Sequence, residues 1–331
     1  MAARDGTPMP EWDDYYPAPE VVLRAGGPEL SVGPDRDAHR GRGLWGQPKR
    51  TVNAAPLIRA PTALHTMPRV LRRRRELDDL RARVAQLERE LDDARLDPGL
   101  WVTRRVADEL GLTVTSGPFA GLRYVEGAVG APHLADCLPA KLLGSYEKEL
   151  HPAIEWAIQT GFSTIVNVGA ADGYYAVGLA LRMPDARVHA FEVDDGRRDL
   201  CGELAHVNRV AERIETSGAC DPEWLAALED DCLLVMDCEG CEVGLLGPNQ
   251  AANLAGSALI VELHDFIDSR SSRSVVERFS ATHECERIAA TPRHSGDFPE
   301  LEFLGWKNRE LAISEVRTHP MEWAELTPRE R

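Results

Sequence analysis

A strand, a glycine turn, a helix and a second strand near the middle of the chain constrain its fold more than any other feature. An apolar run at residues 165–168 stops at Gly169, a helical pattern covers residues 174–181, and an apolar run at residues 188–191 leads to Glu192. Without a Cβ, Gly169 lets the backbone approach a ligand, and the N–H groups that open the helix point toward it. Glu192 follows at the distance suited to accept hydrogen bonds from ribose hydroxyls. The pattern predicts a βαβ unit for a nucleotide-like ligand; the simpler interpretation is a βαβ crossover with a plain glycine turn.

The glycine spacing separates nucleotide ligands from one another. A dinucleotide turn has the pattern G-x-G-x-x-G, whose second glycine admits a pyrophosphate. Here the pattern is Gly169-x-x-x-Gly173, and Asp172 lies inside the turn. A carboxylate there repels a pyrophosphate and attracts the ammonium group of a methionine moiety. S-adenosylmethionine has a ribose, an ammonium group and no phosphate, so it is the predicted cofactor.

Composition and charge exclude several classes of function. With 331 residues, a net charge of −16 and a pI of about 5.1, the chain as a whole repels nucleic acid. No apolar run reaches the roughly 20 residues that span a bilayer, and residues 1–20 lack the apolar segment of a secretory signal. The seven cysteines, an odd number, indicate free thiols in a reducing compartment, so a cytoplasmic location is expected.

Composition divides the chain into five segments. Residues 1–65 are rich in Pro, Gly, Arg and Asp, which predicts a disordered tail. Residues 66–97 carry a heptad pattern, and residues 98–160 predict a helical cap. Residues 161–320 form the predicted cofactor-binding domain, and residues 321–331 a C-terminal tail. Within the cap, the candidates for substrate contact are Tyr124, Lys141 and Tyr146.

The heptad pattern predicts a short coiled-coil helix. Charges of both signs occupy most positions between the apolar ones, and Arg73 interrupts the seam. Two interpretations stay open: a helix that makes a homo-oligomer through residues 70–94, or a helix that docks on its own domain or forms only in part. The apolar residues at heptad spacing are Val70, Leu77, Leu80, Val84, Leu87 and Leu91.

Strand and helix patterns alternate through the rest of the chain. This alternation predicts a parallel sheet with helices on both faces. Because ligands bind beyond the carboxyl ends of such strands, the strand tips at Gly169, Glu192, Asp237 and Glu262 should converge on one pocket. The predicted strands cover residues 163–168, 187–192, 213–217, 232–237, 258–263, 285–290 and 310–316, and the predicted helices cover residues 174–182, 196–209, 222–229, 246–254 and 272–280.

Two polar segments follow the fourth and fifth predicted strands, Asp237-Cys-Glu-Gly-Cys-Glu242 and Glu262-Leu-His-Asp265. Methyl transfer from a sulfonium needs an in-line nucleophile, and partial deprotonation helps it, so a carboxylate or His264 is a candidate general base. Alternatively, Asp237, Glu262 and His264 bind a divalent ion that lowers the pKa of the nucleophile. A third interpretation is that some of these residues only cap helices or hold loops, which is at least as favoured for Glu242.

The same segment contains one C-x-x-C pair, Cys238 and Cys241. A single pair is weak evidence for zinc, and the surrounding carboxylates would raise the thiol pKa, contrary to a thioredoxin-type role. Both are interpreted as packing residues.

At these residues the sequence resembles the FkbM-type methyltransferases, a branch of the class I S-adenosylmethionine-dependent enzymes. The resemblance covers roughly residues 101–315. It implies a Rossmann-like, doubly wound, mostly parallel seven-stranded sheet with an antiparallel last strand, and O-methylation of a sugar or a small natural product. The family usually has Asp where Asn167 stands and Asn where Ala171 stands. The matching stretches are Asn167-Val-Gly-Ala-Ala-Asp-Gly-Tyr-Tyr-Ala, Phe191-Glu192, Asn208, Met236-Asp237-Cys-Glu239-Gly240-Cys-Glu242 and Val261-Glu262-Leu-His264.

The leading hypothesis is therefore an S-adenosylmethionine-dependent O-methyltransferase with a small-molecule or glycan acceptor. A divalent metal such as magnesium stays an open addition at Asp237, Glu262 and His264. The alternatives are a Rossmann-type NAD-dependent oxidoreductase and a catalytically silent cofactor-binding scaffold. The candidate cofactor-binding residues are Asn167, Gly169, Ala170, Asp172, Gly173, Glu192 and Asp237, and the candidate catalytic residues are Asp237, Glu239 and His264.

Overall fold

The computed structural model describes residues 73–84, 86–87, 97–134, 137–228, 232–315, 317, 319 and 321–329. The chain divides into a unit of residues 1–63 and a unit of residues 64–331, and every described residue belongs to the second. The predicted disordered tail, residues 1–65, lies outside the described residues. Within the described ranges, no helix is both long and apolar enough to cross a membrane.

The first described helix, α1, comprises residues 73–84 and 86–87. The described part of the predicted coiled coil is therefore helical. Residues 70 and 91–94 lie outside the described residues, and self-association stays a prediction. The four described heptad residues are all exposed: Leu77 by 53 %, Leu80 by 62 %, Val84 by 53 % and Leu87 by 47 %.

The cap is attached to the core by buried leucines. Asp97 caps α2 by accepting a hydrogen bond from the N–H of Leu100, and Pro98 occupies the first turn, where a proline is tolerated. Leu122 and Leu142 are fully buried in the same apolar cluster as the strand residue Ile165. The cap helices are α2 (Pro98–Leu110), α3 (Glu126–Val129), α4 (Leu138–Leu143) and α5 (His151–Thr160), with 3-10 turns at Pro132–Leu134 and Lys148–Leu150.

A mixed seven-stranded sheet forms the core, in the order β3-β2-β1-β4-β5-β7-β6. The strands are β1 (Thr164–Val168), β2 (Arg187–Phe191), β3 (Ile214–Ser217), β4 (Cys232–Met236), β5 (Ala258–Glu262), β6 (His283–Ala289) and β7 (Glu322–Pro328). Strands β1 to β5 pair in parallel, and β7 is antiparallel to both of its neighbours, β5 and β6. Every residue of β4 and β5 is buried, as expected for apolar strands covered on both faces. The predicted mostly parallel sheet with an antiparallel last strand is confirmed.

Helices cover both faces of the sheet. Successive strand residues point to opposite faces: Ile165 belongs to the apolar cluster that includes the cap, and Val166 to the cluster that includes Val275 and Phe279. The sheet is doubly wound, as predicted. The helices are α6 (Tyr174–Arg182), α7 (Asp195–Val207), α8 (Pro222–Ala226), α9 (Glu242–Leu245), α10 (Pro248–Asn253), α11 (Ser271–Phe279) and α12 (Trp306–Ala312), with 3-10 turns at Ala211–Arg213, Ser295–Asp297 and Pro299–Leu301.

The C-terminal boundaries predicted from the sequence are wrong. The predicted strand at residues 310–316 overlaps α12, and the seventh strand lies inside the predicted tail, residues 321–331. Trp323 and Leu326 are fully buried because β7 is inserted between β5 and β6. Glutamates interrupt the apolar residues of β7, which gives the segment the composition of a tail.

Candidate functional site

The turn after β1 lies against the backbone that follows β4. Gly169 has a φ of +78°, and a Cβ at this residue would lie 1.5 Å from the carbonyl oxygen of Asp237. The N–H of Asp237 donates to the carbonyl of Val168 at 2.9 Å. The close approach of two backbones therefore requires a glycine here, and the ligand contact expected from the sequence stays a prediction. As a result, Asp237 is held directly beside the glycine turn.

Gly169→Ala is expected to cost at least about 2 kcal/mol more in unfolding free energy than Gly161→Ala. Both glycines have positive φ, +78° and +75°, but a Cβ at Gly161 would meet nothing within 4 Å. Gly161→Ala therefore measures a backbone penalty alone, about 1–3 kcal/mol for a residue held in a sparsely populated φ/ψ region. Urea denaturation of both variants tests this, and equal losses would contradict the contact with Asp237.

Glu192 holds the turn in place. Its Oε2 accepts a hydrogen bond from the N–H of Ala171 at 2.8 Å, and its Oε1 accepts one from the N–H of Asp194 at 2.8 Å. Ala171 has a φ of +46°, and Glu192 is 6 % exposed. Each carboxylate oxygen keeps a further lone pair for a ligand hydroxyl. The sequence predicted the position of Glu192 but not this structural role.

The carboxylate of Asp172 binds two side chains of the cap. Its Oδ1 lies 2.6 Å from Nζ of Lys141, and its Oδ2 accepts a hydrogen bond from the hydroxyl of Tyr124 at 2.7 Å. Burial lowers the pKa of Lys141, but the charge and hydrogen bond of Asp172 outweigh it, so the pKa is raised. Because Lys141 already neutralises this carboxylate, a direct role for Asp172 with a ligand ammonium is not supported. Tyr124 and Lys141, candidates for substrate contact, both bind Asp172, and a substrate contact stays a prediction.

The remaining turn residues lie close to the same edge. The N–H of Ala170 donates to the carbonyl of Phe191 at 2.9 Å. The space of the missing Cβ of Gly173 faces Sγ of Cys201, 2.7 Å away. Asn167 is buried, and its Nδ2 donates to the carbonyl of Val235 at 3.3 Å. Its Oδ1 finds no hydrogen-bond partner among the described residues and is a buried acceptor two residues before Gly169.

The predicted catalytic residues come together beyond β4 and β5. Nε2 of His264 lies 3.5 Å from Oδ1 of Asp237, 3.4 Å from Oε2 of Glu239 and 3.7 Å from Oε2 of Glu262. On the other side of the ring, Nδ1 lies 2.6 Å from Oε1 of Glu242. His264 and Glu242 are fully buried. These five residues are called the carboxylate–histidine cluster. The sequence favoured a loop-holding role for Glu242 at least as much as a functional one, and Glu242 does accept a hydrogen bond from the N–H of Gly240 at 3.1 Å; its contact with His264 was not expected.

Charges inside the cluster shift its protonation. Burial and the charges of Asp237 and Glu147 raise the pKa of Glu262 well above its ordinary value. Burial and Asp237 also raise the pKa of Glu239. Burial lowers the pKa of His264, but the hydrogen bond and charge of Glu242 outweigh it, so this pKa is raised as well. The cluster therefore holds protons more tightly than isolated side chains would.

A network of buried ion pairs connects the cluster to the cap. Nη1 of Arg317, in the segment between α12 and β7, lies 3.5 Å from Oε1 of Glu262, and its Nη2 lies 3.0 Å from Oε1 of Glu147. Arg293, after β6, lies 2.7 Å from Glu149 and 2.6 Å from Glu315. No motif marked these residues in the sequence. Arg293 and Arg317 are therefore bound to acids of the cap, and Arg317 also to Glu262 of the cluster.

Stability is expected to fall with rising pH because of Glu147. Burial raises the pKa of Glu147 from 4.5 to about 7. The positive charge of Arg317 opposes this shift, and the negative charge of Asp237 adds to it. Between these values the folded protein keeps a proton that the unfolded chain releases, so this contribution is full below pH 4.5 and is lost through about pH 7. The slope approaches about 1.4 kcal/mol per pH unit. Glu147→Gln cannot titrate, so wild type should lose stability relative to it from pH 5 to about pH 8; a constant difference in urea denaturation would refute this.

A disulfide joins Cys238 and Cys241 within the loop that carries Glu239. The interpretation of these two cysteines as free packing thiols is therefore wrong, although both do contact the apolar cluster behind the loop. The other five cysteines remain thiols. Within the loop, Glu239 and Gly240 have positive φ, +53° and +96°, which folds the chain tightly enough for the two sulfurs to meet.

A cavity of about 660 Å³ opens beside the loop that follows Glu192. It lies between the first half of α7 and the cap segment of residues 127–133, and its polar lining includes His133, Asp194 and Arg197. Its volume is in the range of small-molecule sites. Its lining contains none of the predicted cofactor-binding residues and no member of the carboxylate–histidine cluster.

No protein-family model matches the sequence, and no curated protein matches it. Several solved methyltransferase structures are similar to parts of this chain. TomG, the O-methyltransferase from Streptomyces achromogenes involved in tomaymycin synthesis, covers 52 % of this chain and 77 % of its own, with 12 % identity and a TM-score of 0.38. The geranyl diphosphate C-methyltransferase from Streptomyces coelicolor A3(2) covers 72 % and 96 %, with 15 % identity and a TM-score of 0.38. Precorrin-6y C5,15-methyltransferase from Geobacter metallireducens covers 50 % and 80 %, with 13 % identity and a TM-score of 0.33. These TM-scores are low, so the fold is described from the sheet topology and the function is argued from the site.

Proposed function

We propose that this chain is an S-adenosylmethionine-dependent O-methyltransferase that acts on a hydroxyl of a sugar, a glycan or a small natural product. One observation carries the proposal: Asp237 belongs to both halves of the site. Its backbone packs on Gly169 in the turn that Glu192 holds, and its side chain faces His264, 3.5 Å away. A donor bound along the turn therefore lies next to a cluster that can take a proton.

The residues on the cofactor side fit the donor. Glu192 offers two carboxylate oxygens that each retain a lone pair for a ribose hydroxyl. Asn167 offers a buried acceptor, Oδ1, suited to an ammonium group. S-adenosylmethionine, when bound, supplies a methyl group on a positively charged sulfur. Glu192, the turn and Asn167 would bind and orient it.

The carboxylate–histidine cluster suits the acceptor side. An attacking hydroxyl becomes a better nucleophile as its proton leaves, and a positioned base accelerates this step. Glu242 fixes the orientation of the His264 ring, so that Nε2 faces Asp237 and Glu239. The cluster accepts the proton either directly or with the help of a bound cation. Its carboxylates repel phosphorylated acceptors, which favours neutral hydroxylated ones.

Calorimetric titration with S-adenosylhomocysteine tests the cofactor side. Binding near 1 µM, about −8 kcal/mol, is expected for wild type. Glu192→Gln should lose about 1.5–3 kcal/mol of this, the value of a hydrogen bond to a charged group. Glu212→Gln, an exposed acid beyond the end of α7, is the matched control and should bind like wild type.

The outcomes separate the alternatives. No heat at saturating ligand would count heavily against the proposal, and binding of NADH in its place would favour an oxidoreductase. Methyl transfer to a member of a panel of hydroxylated acceptors would support the enzyme. Cofactor binding without turnover on any acceptor would favour a silent binding scaffold.

A further inference from the structure

We propose that Asp237, Glu262 and His264 bind a divalent first-row metal ion, such as Zn²⁺ or Mn²⁺. One ligand atom from each of these three residues lies within 4.8 Å of the others. Oε2 of Glu239, 3.4 Å from Nε2 of His264, is placed to be a fourth ligand. The site is independent of the methyl-transfer proposal, because metal binding is measured without any cofactor.

Two buried polar atoms point into this site without a partner. Nε2 of the fully buried His264 and Oδ1 of Asp237 find no hydrogen bond among the described residues. A buried polar atom that is left without a hydrogen-bond partner destabilises the fold. A cation between them satisfies both, and it also offsets the repulsion among the three carboxylates that face the imidazole.

Glu242 supplies the support that metal-binding histidines have. Its Oε1 lies 2.6 Å from Nδ1 of His264, and it also accepts a hydrogen bond from the N–H of Gly240 at 3.1 Å. With the proton on Nδ1, the lone pair of Nε2 faces the carboxylates. A carboxylate behind the ring is the usual arrangement at zinc sites, because it fixes the tautomer and makes the ligand more basic.

The distances and the donor atoms favour a transition metal over magnesium. A tetrahedral zinc ion with Zn–N and Zn–O bonds of about 2.0–2.2 Å separates its ligand atoms by about 3.3–3.6 Å, and Nε2 of His264 lies 3.4, 3.5 and 3.7 Å from the three carboxylates. An octahedral Mg²⁺ with bonds near 2.1 Å would need about 3.0 Å, and it prefers oxygen ligands. The spacing therefore favours Zn²⁺, which imidazole suits, whereas Mn²⁺ is supported by the carboxylates alone.

Titration of the chelator-treated full chain with Zn²⁺ and with Mn²⁺ tests the proposal. Wild type should bind one ion per chain, and Asp237→Asn, Glu262→Gln and His264→Ala should each weaken binding by at least about 100-fold. Glu242→Gln should weaken it by about 10- to 100-fold. His206→Ala, which removes an exposed histidine at the end of α7, should leave it unchanged.

Circular dichroism of each variant controls for folding, and the partly exposed Asp237 gives the mildest substitution. No stoichiometric binding by wild type, or full affinity in a folded Asp237→Asn, would overturn the site. Tighter binding of Mg²⁺ than of Zn²⁺ and Mn²⁺ would overturn the choice of ion. If S-adenosylhomocysteine binds but metal does not, only the metal site is refuted. If metal binds but S-adenosylhomocysteine does not, only the proposed transferase is refuted.

From the exposed apolar seam of α1, we infer that this helix pairs in parallel and in register with α1 of a second copy of this chain. Its seam, Leu77, Leu80, Val84 and Leu87, is about half exposed at every position. In heptad terms, Leu77 and Val84 occupy the a positions, and Leu80 and Leu87 the d positions. A β-branched residue at a with leucine at d favours two strands; Val84 meets this condition and Leu77 does not.

Charges beside the seam select the parallel arrangement. In a parallel pair each g residue faces the e residue of the next heptad on the partner helix. Glu76 at g then faces Arg81 at e, and along the sequence Arg83 at the next g is matched by a glutamate at position 88. An antiparallel pair centred on Val84 would instead oppose Arg83 to its own copy.

Sedimentation of the full chain tests the pairing. Wild type should be a dimer, and Leu80→Glu should be a monomer with an unchanged circular dichroism spectrum of the domain. Glu76→Arg should weaken the dimer, and Glu76→Arg with Arg81→Glu should restore it. Asp79→Arg makes the same change of charge at an exposed c position, away from the seam, so it is the matched control and should stay dimeric. A monomeric wild type, or a dimer that Leu80→Glu leaves intact, would refute the pairing.

Discussion

Lys141→Met is expected to lower the free energy of unfolding by about 3–5 kcal/mol, the usual cost of leaving one charge of a buried pair without its partner. Nζ of Lys141 lies 2.6 Å from Oδ1 of Asp172, and the two side chains are 5 % and 1 % exposed. Methionine is unbranched and similar in length to lysine, so the loss reports the charge more than a cavity. Denaturation in urea, followed by circular dichroism at pH 7, measures it.

Removing all the polar groups of this pair should reverse most of the loss. The triple variant Lys141→Met, Asp172→Leu, Tyr124→Phe leaves no buried charge to desolvate, and such replacements are often neutral. Glu277→Gln breaks the exposed pair with Arg273, whose side chains are 62 % and 80 % exposed, and should leave stability unchanged. A Lys141→Met protein within about 1 kcal/mol of wild type would show that Asp172 is solvated or otherwise paired.

The positions of β1, β2, β4 and β5 were predictable because each is an apolar run that ends at a glycine or a carboxylate. Parallel strands end at one edge of the sheet, so the meeting of Asp237, Glu262 and His264 followed from the same pattern. The same pattern of apolar runs does not predict β7. Its burial comes from insertion between β5 and β6, which is a property of the topology and not of the residues 322–328 themselves.

Partners that meet only through the tertiary fold were not predictable. Glu242 contacts His264 across 22 positions of sequence, and Arg317 contacts Glu147 across 170. Neither contact follows from helical periodicity, which relates only residues three or four positions apart. For Asp172, the charge suggested a contact with a ligand. The sequence did not show that the fold places Lys141 beside this carboxylate.

The disulfide depended on local geometry that composition does not contain. An odd cysteine count favoured thiols, but positive φ at Glu239 and Gly240 brings the Cα atoms of Cys238 and Cys241 to 5.6 Å. This separation lies in the usual range for disulfides. The same turn places Glu239 beside His264, so the geometry that the sequence missed also shapes the cluster.

His264→Ala is expected to lower kcat for methyl transfer by about 10²- to 10⁴-fold. The affinity for S-adenosylhomocysteine should change by less than about threefold, because an interaction with the acceptor does not contribute to cofactor binding. The imidazole is fully buried, with Glu242 at Nδ1 and Asp237 at Nε2. Initial rates with an acceptor from the hydroxyl panel, together with calorimetry, measure the two effects. His206→Ala should match wild type in both.

Glu242→Gln distinguishes the two ways in which His264 would act. If His264 is a metal ligand, Glu242→Gln weakens the site by about 10- to 100-fold, so excess Zn²⁺ or Mn²⁺ should restore turnover to Glu242→Gln and not to His264→Ala. If His264 is the base itself, added metal should leave both variants slow, because the neutral amide no longer stabilises the protonated ring. His264→Ala turnover within about tenfold of wild type would remove the ring from the chemistry altogether. An equal loss of S-adenosylhomocysteine affinity would instead place His264 on the cofactor side of Asp237.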